Sequence, residues 1–161
     1  YGSIKYVTEK GLMNGTGGTN FTPKANLTRA MVITVLYRME GSPRVVFNEK
    51  DYLDVADGQF YSDATAWAYG EGIITGTSTD DWGIPMISPS RDITRQELAT
   101  MFVRYANFKH VKMENTADLD RFEDRDRVAS WAADAMKWAT SVLPLLSMKH
   151  TAAKAVLLPT K

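Results

Sequence analysis

A fold of tandem helix–loop–helix units is what this sequence predicts, and three observations predict it. The stretch Leu27-Thr28-Arg29-Ala30-Met31, running on to Met39, recurs as Ile93-Thr94-Arg95-Gln96-Glu97 running on to Tyr105. Every matched pair stands 66 residues apart. Both copies carry apolar residues at i, i+3, i+4 and i+7, the spacing of one helical face: Val32, Val35, Leu36 and Met39 in the first, Leu98, Met101, Phe102 and Tyr105 in the second. A Gly-x-x-x-Gly signature punctuates both copies, Gly11 and Gly15 followed by Gly72 and Gly76. Glycine allows the positive φ that stops a helix and turns the chain.

The elements follow in order. A helix is expected from Ser3 to Lys10, stopping at Gly11, with Ile4 and Val7 on one side. A turn-rich loop leads past Phe21-Thr22-Pro23 to Thr28, which opens the second helix, and Glu40-Gly41-Ser42-Pro43 ends it. Tyr52-Leu53-Asp54-Val55 introduces the second copy, whose first helix runs from about Ser62 to Glu71, carries Trp67 and ends at Gly72. The offset grows from 61 at the glycines to 66 at Pro23 and Pro89, which places a five-residue insertion around 80–85. Extra loop length costs little entropy, so a loop is where it belongs. A polar linker spans Lys109 to Asp120. A third copy then starts, with Trp131 to Ala139 matching Phe60 to Ala68 at an offset of 71. The resulting divisions are 1–44 (first repeat), 45–110 (second, complete), 111–142 (linker and first half of a third) and 143–161 (atypical tail). In the tail, Leu143 and Ser147 stand where glycines are expected, and no second Thr-Arg helix follows.

Composition excludes several function classes. The 161 residues hold 19 Lys plus Arg against 19 Asp plus Glu, so no global field points to nucleic acid or an acidic membrane surface. With no cysteine, disulfides and thiolate metal sites are ruled out, and two histidines cannot build a zinc site alone. No apolar run approaches the ~20 residues of a membrane span. The acidic cluster from Asp118 to Asp126 lacks the turn glycine and terminal Glu of a calcium loop and reads as a solvated linker. No catalytic residue, metal or cofactor is expected.

The pattern as a whole (aromatic-x-Asp-Val, a helix with Trp, Gly-Ile-Ile-x-Gly, Pro, Ile-Thr-Arg-x-Glu, a helix ending in Arg) resembles the S-layer homology domain of bacterial surface proteins. Asp54, Trp67, Gly72, Gly76, Pro89, Thr94, Arg95, Glu97 and Arg104 of the second copy all fit it. The resemblance implies an all-α fold in which three repeats form a pseudo-threefold assembly with ligand grooves between them. It also implies non-covalent anchoring to anionic, often pyruvylated, secondary cell-wall polysaccharide, in the wall or S-layer of a Gram-positive-type bacterium. Self-association through the incomplete third repeat is a further expectation. The first copy departs from the pattern at Met31, where Glu is expected, and at Gly2, where the second has Asp63.

Each singled-out residue has a plainer role beside the functional one. Thr94 and Glu97 form a capping box, which accounts for both without a ligand. Arg95 is harder to explain that way: a cation in the first helical turn opposes the helix dipole by roughly 0.3–1 kcal/mol. Arg29 keeps that position although Met31 has broken the box. Arg29 and Arg95 are therefore the expected charge for a ligand carboxylate, which a guanidinium fork fits bidentately; the rival is an ion pair to Asp63 or Asp134. Gly15 and Gly76 are turn glycines that would also give a ligand access to backbone amides. Asp63 and Asp134 would bond sugar hydroxyls, and Trp67 and Trp138 would offer a ring face if they are not core. Arg38 and Arg104, in the last helical turn, read as structural. The alternatives are a helical-repeat protein-interaction module, whose usual periods do not fit offsets of 61 to 66, and a wall-glycan hydrolase, for which no carboxylate pair stands out.

Overall fold

The computed structural model describes residues 2–15, 20–22, 24–113 and 118–142; the atypical tail 143–161 lies outside the described residues. The fold is mainly helical: α1 Gly2–Glu9, α2 Arg29–Met39, α3 Ser62–Gly70, α4 Arg95–Phe108 and α5 Ala133–Val142. One small hairpin, β1 Ser78–Thr79 and β2 Pro85–Met86, is antiparallel, with Ser78 opposite Met86 and Thr79 opposite Pro85. Its turn occupies the insertion. Asp80 Oδ1 accepts from the amides of Trp82 (3.1 Å) and Ile84 (2.7 Å), and Gly83 supplies φ +82°.

The repeat extends to individual hydrogen bonds. After α1, Leu12 N–H and Met13 N–H both return to the Val7 carbonyl, across Gly11 at φ +67°. After α3, Ile73 N–H and Ile74 N–H return to the Ala68 carbonyl, across Gly72 at the same φ. Glycine stands at both because an L side chain at that φ is strained. The starts repeat less closely. Thr28 caps α2 by accepting from Met31 N–H at 3.3 Å. Thr94 caps α4 with the full reciprocal box, Thr94 N–H donating to Glu97 Oε2 at 3.0 Å.

Contacts divide the chain after Asp92 into two compact units. In the first, α2 packs against α3; in the second, α4 packs against α5. Each pair joins the second helix of one sequence repeat to the first helix of the next, because two short helices cannot bury their apolar faces within one repeat. In the first unit Ile33, Leu36, Ile73, Ile74 and Ile87 are fully enclosed, with Trp67 beside them. The second core joins Ala99 of α4 to Ala132, Ala135, Met136 and Ala139, closed by Leu119 and Phe122. Alanines let the two helix backbones approach closely.

The buried faces are rotated from the expected stripes. Val32 and Leu36 are buried, but Val35 is half-buried and Met39 is 50% exposed, while Ala30 and Ile33 take the inner positions. In α4, Met101 is buried as expected, yet Ala99 and Ala106 are buried where Phe102 and Tyr105 are only half-buried. Reading large apolar residues at helical spacing overlooks small residues at a tight helix contact.

Candidate functional site

The first unit holds a cavity of about 370 Å³. One wall is the loop Leu12, Met13, Asn14 and Gly15; the other is the outer face of α2, with Met31, Thr34, Val35 and Arg38; Phe21 and Phe60 close it. Phe60 belongs to the second sequence repeat and the rest to the first, so this is a groove between repeats. The rotation of α2 makes it: with Ile33 and Leu36 turned inward, Met31, Val35 and Arg38 are left to line the hollow.

Two features hold the loop in shape. The Arg38 guanidinium reaches back from α2 and donates from Nη1 to the Leu12 carbonyl at 3.1 Å. Gly15 has φ +82°, and a Cβ there would stand 2.5 Å from the Asn20 carbonyl oxygen. Neither requirement tolerates another residue without movement. Arg38 uses one of its five N–H donors in this bond and is half-buried, so the site combines a cation, the Asn14 amide and two phenyl rings. The sequence reading takes Arg38 only as a cation favourable to the helix C-terminus. Its recurrence as Arg104 at the same offset was the signal available for a larger role.

Arg29 lies elsewhere. It is 4% exposed, its Nε donates to the Ile87 carbonyl at 2.8 Å, and its Nη2 stands 3.5 Å from the Thr75 carbonyl. The same peptide segment is gripped from its other side by Asp54, whose two carboxylate oxygens accept from Ile87 N–H and Ser88 N–H, both at 2.7 Å. Arg29 and Asp54 thus clasp residues 87–88 between opposite charges, and Ser88 is held at φ +55°. The backbone of the same segment continues to α2: Ala30 N–H donates to the Pro89 carbonyl and Arg29 N–H to that of Arg91. The charge that opposes the α2 dipole is met here by carbonyl oxygens. Arg95, in the second unit, is half-buried at the first position of α4.

The remaining expected residues separate by exposure. Trp67 is 4% exposed, its ring 5.7 Å from that of Tyr37 and tilted by 50°. Trp138 is half-buried at the edge of the second core and lines a smaller apolar cavity of about 220 Å³ with Phe102, Tyr105 and Val111. Asp63 is exposed in the first turn of α3, where its charge suits the helix dipole. Asp134, in the first turn of α5, stands 3.8 Å from Lys137 Nζ. Gly76 is needed for close approach, since a Cβ would meet Ser78 O at 2.8 Å and Pro85 Cβ at 2.9 Å. Within each unit the structure places Gly15 at a groove, Arg29, Trp67 and Gly76 in packed surroundings, and Asp63 and Asp134 at the surface.

Burial first, and then the Asp63 carboxylate, pushes the Tyr37 phenol above its ordinary value of about 10; Tyr37 also donates to the Pro43 carbonyl at 2.8 Å. Among the described residues no three His, Cys, Asp or Glu side chains group in a way that could hold a metal ion, and no helix is long and apolar enough to cross a membrane.

Comparison with known proteins agrees with the resemblance over the start of the chain. Residues 1–30 match the S-layer homology domain. The chain is similar to an endoglucanase of Bacillus sp. (strain KSM-635), 27% identical over 143 residues, covering 84% of this chain and 14% of that protein. It is similar to exoglucanase XynX of Acetivibrio thermocellus, 25% identical over 134 residues, covering 83% of this chain and 12% of the other. An amylopullulanase of Thermoanaerobacterium thermosulfurigenes is also 25% identical over 134 residues, with 83% of this chain and 7% of that protein covered. The chain therefore spans a small fraction of each relative's length. Tandem Thr-Arg helices, glycine stops repeated bond for bond and the matched segment at its start agree with the S-layer homology resemblance: residues 1–30 match that domain, and the later copies repeat the same pattern.

Proposed function

We propose that this chain is a non-catalytic module that holds its protein to the bacterial surface by binding an anionic, pyruvylated wall polysaccharide. The match of residues 1–30 to the S-layer homology domain supports the coarser part, a cell-surface anchoring module. The observation that carries the finer part is the inter-repeat groove of about 370 Å³ over Gly15. It has the volume for a sugar ring, phenyl faces at Phe21 and Phe60 for the C–H side of that ring, and Arg38 for a carboxylate.

The residues have two kinds of role in this reading. Gly15, Arg38, Asn14 and Phe60 contact sugar in the first unit, with Asp63 and Asp134 available for hydroxyl groups at the surface. Arg95 and the Trp138 ring serve the second unit. Arg29, Trp67 and Gly76 keep the first unit in shape, since each is packed against the chain itself. The three relatives are named as enzymes, but this chain matches 14%, 12% and 7% of their lengths. We assign it no turnover of its own. A Gram-positive-type wall is the proposed location.

Retention on purified wall sacculi tests the reading. Sacculi should retain the protein, and chemical removal of pyruvyl groups should release it. Arg38→Ala should weaken retention by about 1.5–3 kcal/mol, the worth of a charge-assisted hydrogen bond. Equal retention by treated and untreated sacculi would show that the anionic group is not recognised.

A further inference from the structure

The groove over Gly15 carries a chemical instability in its own wall. Asn14-Gly15 is the only Asn-Gly pair in the chain; the other asparagines precede Phe, Leu, Glu or Thr. Both residues lie outside any helix or strand and are exposed to water. Asparagine before glycine is the pairing in which the next backbone nitrogen most readily reaches the side-chain carbonyl carbon, because glycine has no Cβ to hinder the approach. Other asparagines are better held. Asn26 Nδ2 donates to Asp92 at 2.8 Å, Asn48 Nδ2 donates to Asp51 at 3.0 Å, and Asn107 lies within α4. A larger residue at position 15 would slow the reaction, but its Cβ would stand 2.5 Å from the Asn20 carbonyl oxygen. The second copy has no such pair, since Thr75 precedes Gly76 there.

We propose that Asn14 is a self-modification site that turns the groove from accepting an anion to repelling one as the protein ages. The Gly15 backbone nitrogen, having lost its proton to hydroxide, attacks Asn14 Cγ. The N–Cγ bond forms, the Cγ–Nδ2 bond breaks, and ammonia leaves with a proton taken from water. Water then opens the cyclic imide. Opening at Cγ leaves aspartate; opening at the backbone carbonyl leaves isoaspartate, with one more methylene in the main chain. The net change consumes water and releases ammonia, with no oxidant or reductant. Arg38 lines the same hollow, and a cation there favours loss of the amide proton. Either product places a new carboxylate in the wall of that hollow, where it competes for Arg38 and repels an incoming anion. Isoaspartate also adds a backbone atom beside a glycine that has no room for a Cβ. The loss of binding rests on the wall reading above; the modification itself does not.

The test keeps the full 161-residue chain warm at mildly alkaline pH and follows it by peptide mapping. Mass spectrometry should find aspartate and isoaspartate at position 14 well before any change at Asn20, Asn26, Asn48 or Asn107, with ammonia released in step. The aged parent should lose at least about tenfold in affinity for untreated wall sacculi. Asn14→Asp, assayed fresh, should show a loss of the same order. Asn14→Thr, whatever its starting affinity, should not weaken on ageing. Circular dichroism of the aged parent checks that the helices are retained. Modification of Asn14 no faster than that of Asn20 overturns the proposal, as does an aged parent retained as tightly as the fresh one. Equal weakening of aged Asn14→Thr also overturns it, since the loss would then arise elsewhere. If the fresh parent is not retained at all, the wall reading fails and the loss of binding with it, while the mapping still decides whether Asn14 is the modified residue.

Discussion

Gly76 and Gly70 are six residues apart and predict opposite responses to alanine. A Cβ at Gly76 would enter the space of Ser78 O, Pro85 and Met86 O. Gly76→Ala should therefore destabilise the first unit by about 1–3 kcal/mol, the usual cost of overpacking. Gly70 ends α3 with nothing near its Cβ position and no positive φ, so Gly70→Ala should stabilise by about 0.4–1 kcal/mol. Urea midpoints of the two variants will separate if the hairpin packs as described. Tyr37 gives a pH-dependent prediction. Its phenol is raised in the folded state, so the unfolded chain loses that proton first as alkali is added. The contribution is fully present below pH about 10 and is lost as pH rises through the folded-state value. Stability measured from pH 8 to pH 11 should fall at the alkaline end, and Tyr37→Phe should flatten the fall. Arg29 illustrates what a residue type does not disclose. Its position against the helix dipole was visible in the sequence, and so was the need for a partner. That the partners are carbonyl oxygens from residues 46 and 58 positions away was not.

At the level of elements, the two Thr-Arg helices differ at their starts. Thr94 has the reciprocal box with Glu97, whereas Thr28 makes one capping bond because Met31 offers no side-chain acceptor. Thr94→Ala should cost α4 about 1–2 kcal/mol, toward the upper end of the range for caps, since Glu97 loses its hydroxyl partner too. Thr28→Ala should cost less than Thr94→Ala when each is measured in its own unit. Local signals of this kind were readable without the fold: both caps, both glycine stops and the insertion stand where spacing placed them. The buried faces were read less well. Helical periodicity identifies a stripe by large apolar side chains, while the α4–α5 contact is made by Ala99, Ala132, Ala135 and Ala139. Nothing in a single sequence distinguishes a core alanine from a surface one. The hairpin was likewise not expected. Its strands are two residues each, too short to leave a period of their own, and its turn depends on Asp80 bonding to two amides.

For the whole molecule, the main consequence is that spatial units and sequence repeats are out of step. The second helix of each repeat packs against the first helix of the next, so removing residues 62–70 should expose α2 as well as delete α3. Arg29→Ala and Arg38→Ala should then separate stability from binding. Loss of Arg29 leaves buried carbonyls of the first unit without their donor and should lower stability by about 1–3 kcal/mol; loss of half-buried Arg38 also frees the Leu12 carbonyl, so it should lower stability by less while weakening retention by wall sacculi. Thermal unfolding read beside retention decides this: if Arg38→Ala binds as well as the parent, the groove over Gly15 is not the sugar site. By itself the sequence determined the helices, their starts and the two glycine stops, because caps, glycine stops and helical spacing act within a few residues. Tertiary structure alone decided which face of α2, α3, α4 and α5 is covered, and that Arg29 is enclosed while Arg38 lines a groove. Those depend on segments tens of residues apart meeting in space, and helical spacing carries no record of which helix will be the neighbour.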